Sequence, residues 1–270
     1  MKYFYNVYTN YHMVISKYKI SIKIFIILVF LLQSCVSKKQ VLYLQDINVK
    51  DVSEITFLQN TFQENDILKI DITSLESKAS IPYNKTSLQA NVGNSLDLML
   101  LNGYLVSSNK TINFPVLGEI SVAGKTTESL ENDLQKRLEL EGHLIDPNVS
   151  VRLLNAKVTI LGEVNAPGIY TFTEKNISFL QAIGLAGDLT IDGNRKDIVL
   201  IRESDGYRTT TKLDLTSASF LTSPYQNIQP NDVIIVNPNS KKVRSAGLVG
   251  NISTVLSIAS ILLSTIILIR

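Results

Sequence analysis

The alternation of apolar and polar positions divides the chain into a long central part of short elements and two apolar runs near its ends. In the central part, Asn65-Asp66-Ile67-Leu68-Lys69-Ile70 and Asn231-Asp232-Val233-Ile234-Ile235-Val236 read as one device used twice, a two-residue turn that opens a β-strand. Asparagine tolerates the left-handed backbone such turns often need. Asp146-Pro147-Asn148 ahead of Val149-Ser150-Val151-Arg152-Leu153 marks another turn into a strand. After Gly124 the period becomes that of a helix. Thr126 or Thr127 is the candidate N-cap, Leu130, Leu134 and Leu138 recur at four-residue steps, and Gly142 closes the pattern. Phe114 to Ile120, which holds Gly118-Glu119, leads into that helix. Val158 to Val164, which holds Gly162-Glu163, leads through Ala166-Pro167-Gly168 to a strand at 169–172 and a helix at 177–185 closed by Gly187. Both units read strand, Gly-Glu turn, strand, helix. Strands alternating with single short helices predict α+β domains with small mixed sheets. About 210 residues between the end runs suffice for two modest domains, and the boundary falls near 155–157.

The end runs set the location. Residues 24–32 are apolar and follow Lys17, Lys19 and Lys23 with no acidic residue, the layout of a secretory signal. The run is shorter than the about 20 residues that span a bilayer. It ends in Leu32-Gln33-Ser34-Cys35, which resembles the lipobox of bacterial lipoproteins. The resemblance implies a signal at 1–34, with Met1 or Met13 as the start, and an acylated Cys35 that opens a tether at 35–56. Val41-Leu42-Tyr43-Leu44 is a candidate docking segment within that tether. Cys35 is the only cysteine, so no disulfide framework exists; the plainer alternative is an inert thiol beside an uncleaved anchor. At the other end, after a polar linker at 239–247, residues 248–269 carry no charge and no proline. As a helix this stretch is about 33 Å long, enough to cross a hydrocarbon layer of about 30 Å. Ser253, Thr254, Ser257, Ser260 and Ser264 recur at helical steps and share one side of it. Two arrangements suit that stripe, close packing between membrane helices or the lining of a pore, and both imply a homo-oligomer.

Composition removes several function classes. The net charge of +2 is spread along the chain without a dense basic block, which sets nucleic acid aside. No catalytic set, metal set or cofactor motif is evident. His12 lies before or within the signal, and His143 beside Gly142 suits a helix end. Glu119 and Glu163 are the one carboxylate pair with like placement, and hydrogen bonding at a glycine turn explains them more simply than a glycosidase pair. No P-loop is present. There is no tryptophan, and Tyr170, Tyr207 and Tyr225 are the candidates for exposed aromatic surface.

These residues together resemble the outer-membrane polysaccharide export family (Wza-like proteins). Asn65-Asp66-Ile67-Leu68-Lys69-Ile70 resembles the opening of its polysaccharide-export domain, and Gly103-Tyr104-Leu105-Val106 through Ile120 its central signature. Asp146-Pro147-Asn148-Val149-Ser150-Val151 matches the end of that domain. Leu161-Gly162-Glu163-Val164 with Pro167-Gly168-Ile169-Tyr170 resembles the start of a soluble-ligand-binding β-grasp (SLBB) domain, continued by 180–187 and 198–202. Asp66, Gly118, Glu119, Gly162, Glu163, Pro167, Gly168 and Asp232 are then structural turn residues of the family motifs. Asp188 stands where a second glycine is common, and Asn65 and Asn231 where glycine usually precedes aspartate.

The resemblance implies an export domain at 57–155, an SLBB domain at 156–238 and a transmembrane helix at 248–269. It implies no enzyme and no cofactor. The expected protein is a lipid-anchored outer-membrane component of a capsular or exopolysaccharide export channel, with its soluble domains in the periplasm. Its partners would be further copies in a ring of about eight, the polysaccharide cargo, and an inner-membrane co-polymerase, often a tyrosine autokinase. The alternative is a glycan- or partner-binding scaffold lipoprotein that forms no channel.

Overall fold

The computed structural model describes residues 41–47, 60–85, 100–204 and 206–246, and singly 253, 256–258, 260, 261, 264 and 265. The expected signal, Cys35 and most of the 248–269 stretch, Thr254 included, lie outside these residues. Among the described residues no helix is long and apolar enough to cross a membrane. Those of 253–265 that are described are helical and exposed.

The first domain is built on a three-stranded antiparallel sheet. Strand β1 (Ile67–Thr73) lies between β2 (Tyr104–Leu105) and β5 (Asn148–Leu153). Strands β3 (Thr111–Phe114) and β4 (Gly118–Ser121) form a separate hairpin. Helix α1 (Thr127–Leu140) is capped by Thr126, whose side chain and that of Ser129 exchange hydrogen bonds with each other's backbone N–H. Leu130, Leu134 and Leu138 have no exposed surface and fill the core with Leu68, Ile70, Ile112 and Phe114. Four-residue spacing places one leucine per turn on the same face, and burying each stabilises by about 2 kcal/mol. Glu131 Oε1 accepts the Val151 N–H of β5 at 2.8 Å, so the helix also serves a backbone donor of that strand.

The second domain is built on a five-stranded sheet, β10-β9-β12-β6-β7. Its strands are β6 (Lys157–Gly162), β7 (Gly168–Thr171), β9 (Gly193–Ser204), β10 (Tyr207–Leu213) and β12 (Val233–Pro238). Strands β8 (Ile177–Ser178) and β11 (Asn227–Ile228) pair beside it. Helix α2 (Phe179–Leu185) is boxed by Ser178 and Gln181, so the expected helix from 177 begins two residues later. Val158, Ile160, Ile198, Leu200, Ile234 and Val236 alternate inward to meet Phe179, Ala182 and Ile183. The mixed character expected of both sheets belongs to this domain alone among the described strands. Its one parallel pairing joins β6 to β12, whereas every described pair of the first domain is antiparallel. Parallel partners need a long crossover, and among the described elements the second domain has one, carrying β7 to β11 between the two strands.

Three stretches read as connections are ordered. Of the tether, residues 41–47 dock on the second domain. The N–H groups of Leu44 and Gln45 bond the carbonyls of Leu215 and Thr216 at 3.0 and 2.7 Å. The Tyr43 hydroxyl donates to Asp188 at 2.5 Å beneath the guanidinium of buried Arg195. Asp46 then accepts from the Ala218 N–H and the Ser217 hydroxyl, which hold its carboxyl below the usual range. The linker after β12 contains helix α3 (Ser240–Ser245), because Asn239 caps it by accepting from Lys241 and Lys242. At the domain junction, Asn155 receives the Ile67 N–H and donates to the Asn65 carbonyl.

Gly162 shows how tightly β6 meets β12. Its φ is +89°, and a Cβ there would stand 2.1 Å from the Val236 carbonyl oxygen. Gly162→Ala is expected to cost roughly 2–4 kcal/mol through left-handed strain and overpacking. Urea unfolding of the purified chain checks this, and an unchanged midpoint would refute the contact.

Candidate functional site

Gln63-Glu64-Asn65-Asp66 and Gln229-Pro230-Asn231-Asp232 fold alike down to individual hydrogen bonds. Asn65 and Asn231 have φ of 68° and 69°. In both turns the aspartate N–H reaches the glutamine carbonyl at 3.2 Å, and the aspartate Oδ2 accepts the glutamine N–H at 2.8 Å. The aspartate carbonyl then receives a neighbouring segment's N–H, Val106 at 2.8 Å in one domain and Thr159 at 2.9 Å in the other. The carboxylate thus replaces the partner that the turn denies the backbone.

The two turns differ in charge balance. Asp232 is 1% exposed and is gripped by Arg202, whose Nε and Nη2 donate at 3.0 and 2.7 Å. Burial raises its pKa, and the guanidinium opposes that rise. Asp66 is 4% exposed, and among the described residues no guanidinium forks it. Burial outweighs the Gln63 N–H and the charge of Lys110, and the Asp66 carboxyl is pushed up to about 6.

Both turns reach one cavity of about 650 Å³ between the domains. Gln63 and Asp66 line it from one side, and Gln229 and Pro230 from the other. The N-terminus of α1 (Thr126, Thr127, Glu128) and the 172–176 loop complete its walls. Phe62, Leu153, Ala156 and Phe172 give it an apolar floor. The volume falls within the about 300–1,000 Å³ typical of small-molecule sites.

The remaining motif residues do not gather there. Gly118 opens β4 at φ +73°, and Glu119 beside it is exposed opposite Asn113. Gly162 instead ends β6, so the two Gly-Glu pairs occupy opposite sides of their turns. The like placement expected from their sequence is absent, because one glycine exits a hairpin turn and the other permits a close strand approach. Glu163 accepts the Thr190 hydroxyl at 2.9 Å, and its carbonyl accepts the Thr190 N–H. Pro167 is exposed in the turn to β7, which Gly168 starts, and Tyr170 is half-buried with its hydroxyl on the Ala166 carbonyl. Tyr225 is half-buried under Arg202, and Tyr207 stands exposed. His143 meets Glu141 at 3.2 Å and the Tyr83 ring edge-on. Among the described residues no group of His, Cys, Asp and Glu could hold a metal ion.

Arg202, Asn60 and Asn155 escaped the sequence reading. Arg202 carried a signal: it continues the inward parity of Ile198 and Leu200, and an arginine on a core-facing position requires a buried acceptor.

Comparison with known proteins fits these two domains. Residues 59–154 match the model of the family described as polysaccharide biosynthesis/export protein, and residues 156–236 match the SLBB domain. The chain belongs to the Wza-like outer-membrane polysaccharide export family. This export-family chain is 32% identical over 106 residues to the EPS I polysaccharide export outer membrane protein EpsA of Ralstonia nicotianae, covering 38% of this chain and 27% of that protein. It is 29% identical over 92 residues to the protein of the same name from Ralstonia solanacearum, covering 33% and 24%. It is 26% identical over 191 residues to the capsule polysaccharide export protein BexD of Haemophilus influenzae, covering 69% and 45%. The matches span less than half the length of these relatives.

In this export-family member the raised Asp66 makes stability depend on pH. Its folded pKa of about 6 exceeds its usual 3.8, so the folded state holds the proton more tightly. The stabilisation is complete below about pH 4 and is lost as pH rises through 6. Asp66→Asn keeps an acceptor for the Gln63 N–H and is expected to add about 2 kcal/mol at pH 7.5, with little effect at pH 4. Thermal unfolding at both pH values checks it; equal shifts would remove the titration from the account.

Proposed function

We propose that the chain is an outer-membrane lipoprotein component of a capsular or exopolysaccharide export channel. The observation that carries this reading is the order of the two matched domains, 59–154 and then 156–236, each with its own core. The similarity to polysaccharide export proteins supports polysaccharide as the cargo, and the two EpsA proteins, named for the outer membrane, support that location.

In this reading Cys35 carries the lipid, the soluble domains stand in the periplasm, and the 248–269 helix spans the membrane within a closed ring of about eight copies. Helices can line such a ring because each satisfies its own backbone hydrogen bonds. The described hydroxyls of the small-residue stripe favour a membrane setting. Ser257, Ser260 and Ser264 donate to the carbonyls of Ser253, Ser257 and Ile261 at 2.8, 2.8 and 2.9 Å. Polar groups satisfied within their own helix need no water, whether the stripe packs or lines a pore. The Asp66, Gly118, Glu119, Gly162, Glu163, Pro167, Gly168 and Asp232 turns act as structural supports, and an inner-membrane co-polymerase meets the ring. Synthesis and that partner supply the energy.

Native mass spectrometry of the detergent-extracted full-length protein, beside a version ending at Ser245, tests the channel. A closed oligomer of about eight copies that weakens on truncation is expected. A monomer or dimer in both forms would leave the scaffold as the better reading. In the same spectra Cys35→Ser should remove the mass of the acyl groups.

A further inference from the structure

We propose that the cavity between the two domains is a binding site for a short, uncharged segment of a saccharide, an inference that rests on the reading of polysaccharide as cargo. The argument begins with what lines it. Thr127, Thr173, Asn176 and Gln229 offer amides and hydroxyls from both domains, each able to donate and to accept. A ligand that matches such a wall is dense in hydroxyl groups, which do the same.

Charge narrows the class. Asp66, Glu128, Glu174 and Glu203 face the cavity against Arg152 and Lys175, and Arg208 meets Glu203 at 2.6 Å, so a narrow excess of carboxylate remains. Lys175 also lies 3.8 Å from Glu131. A nucleotide, a phosphate or an acidic sugar would enter against this excess of negative charge. A neutral saccharide meets no such barrier, and its C–H faces suit the floor of Phe62, Leu153, Ala156 and Phe172.

Asn155 ties the junction to the first glutamine turn, and the β6 neighbour of β12 supports the second.

The test uses full-length protein in detergent and oligosaccharides of two to six residues, released by partial hydrolysis from the producing cell's own surface polysaccharide. Hydrogen–deuterium exchange should slow at 60–63, 126–128 and 173–176, and nowhere outside the cavity lining. Asn176→Ala, which removes an exposed lining amide, should weaken the affinity about fivefold, the effect of one neutral hydrogen bond. Thr173→Trp, at an exposed position in the loop, should abolish binding by filling the cavity, while Glu139→Gln on the outer face of α1 should leave it unchanged. Protection elsewhere, binding only of acidic fragments, or no binding at all would overturn the site. Equal protection of the three segments in the oligomer before sugar is added would also overturn it, by assigning the cavity to a neighbouring copy. Deletion of the gene separates the two levels. If surface polysaccharide disappears while the fragments do not bind, the export reading stands and the site fails; if surface polysaccharide persists, the export reading itself fails.

Discussion

Each domain hangs on a central strand that begins at a buried aspartate. Strand β1 is the middle of three and β12 the middle of five, and each leaves a left-handed asparagine followed by Asp66 or Asp232. The left-handed residue reverses the chain within two positions but leaves a glutamine N–H facing inward. The aspartate carboxyl accepts that N–H and lets the strand start inside the fold rather than at its surface. The inward alternation of the strand depends on this start. A one-residue slip would turn Leu68, Ile70 and Ile72, or Ile234 and Val236, to the opposite face. The requirement is steep, because a buried charge without compensation is among the more costly features a fold can carry.

The two domains meet that cost differently. In the second, a residue 30 positions upstream supplies the counter-charge, since Arg202 on β9 forks Asp232, the turn residue just before the adjacent β12. Such a pair contributes more to uniqueness of register than to net stability, because desolvation of both ions offsets most of their attraction. It forbids any sheet order that would separate β9 from β12. In the first domain the register rests on other contacts. Asn155, at the exit of β5, bonds both Ile67 and Asn65, so the junction between domains also fixes the start of β1.

How much of this was legible in the sequence follows from what periodicity encodes. The echo of Asn-Asp before an apolar strand, the leucines of α1 and its cap at Thr126 are local patterns, and local chemistry decides them; the cap at Ser178 went unread, so the second helix was begun two residues early. Which strand lies beside which is not local. Nothing within 41–47 names Leu215 and Thr216 as its partners, although Val41-Leu42-Tyr43-Leu44 is visibly too apolar for a solvated tether. The apparent likeness of Gly118-Glu119 and Gly162-Glu163 misled for the same reason. Two identical dipeptides met different demands, one a hairpin exit and the other a strand contact that excludes a Cβ. The candidate cavity was beyond reach, since its two glutamine turns lie 166 positions apart (Gln63 to Gln229) and only the domain packing brings them together.

The asymmetry between the two turns bears on what that cavity is for. If both aspartates served only to open a strand, the arginine that relieves Asp232 would be equally useful beside Asp66. Instead the carboxyl with the guanidinium does not line the cavity, and the carboxyl without one does. An arginine at the first turn would neutralise the wall and occupy space that amides and hydroxyls now share. Proteins commonly give up stability where a site must keep a particular polarity. A buried carboxyl raised to about 6 in the wall of a cavity shared by two domains fits that pattern. Both turns thus reach the cavity, one with its carboxyl held behind an arginine and the other with its carboxyl in the wall, where only the Gln63 N–H and the charge of Lys110 oppose its burial.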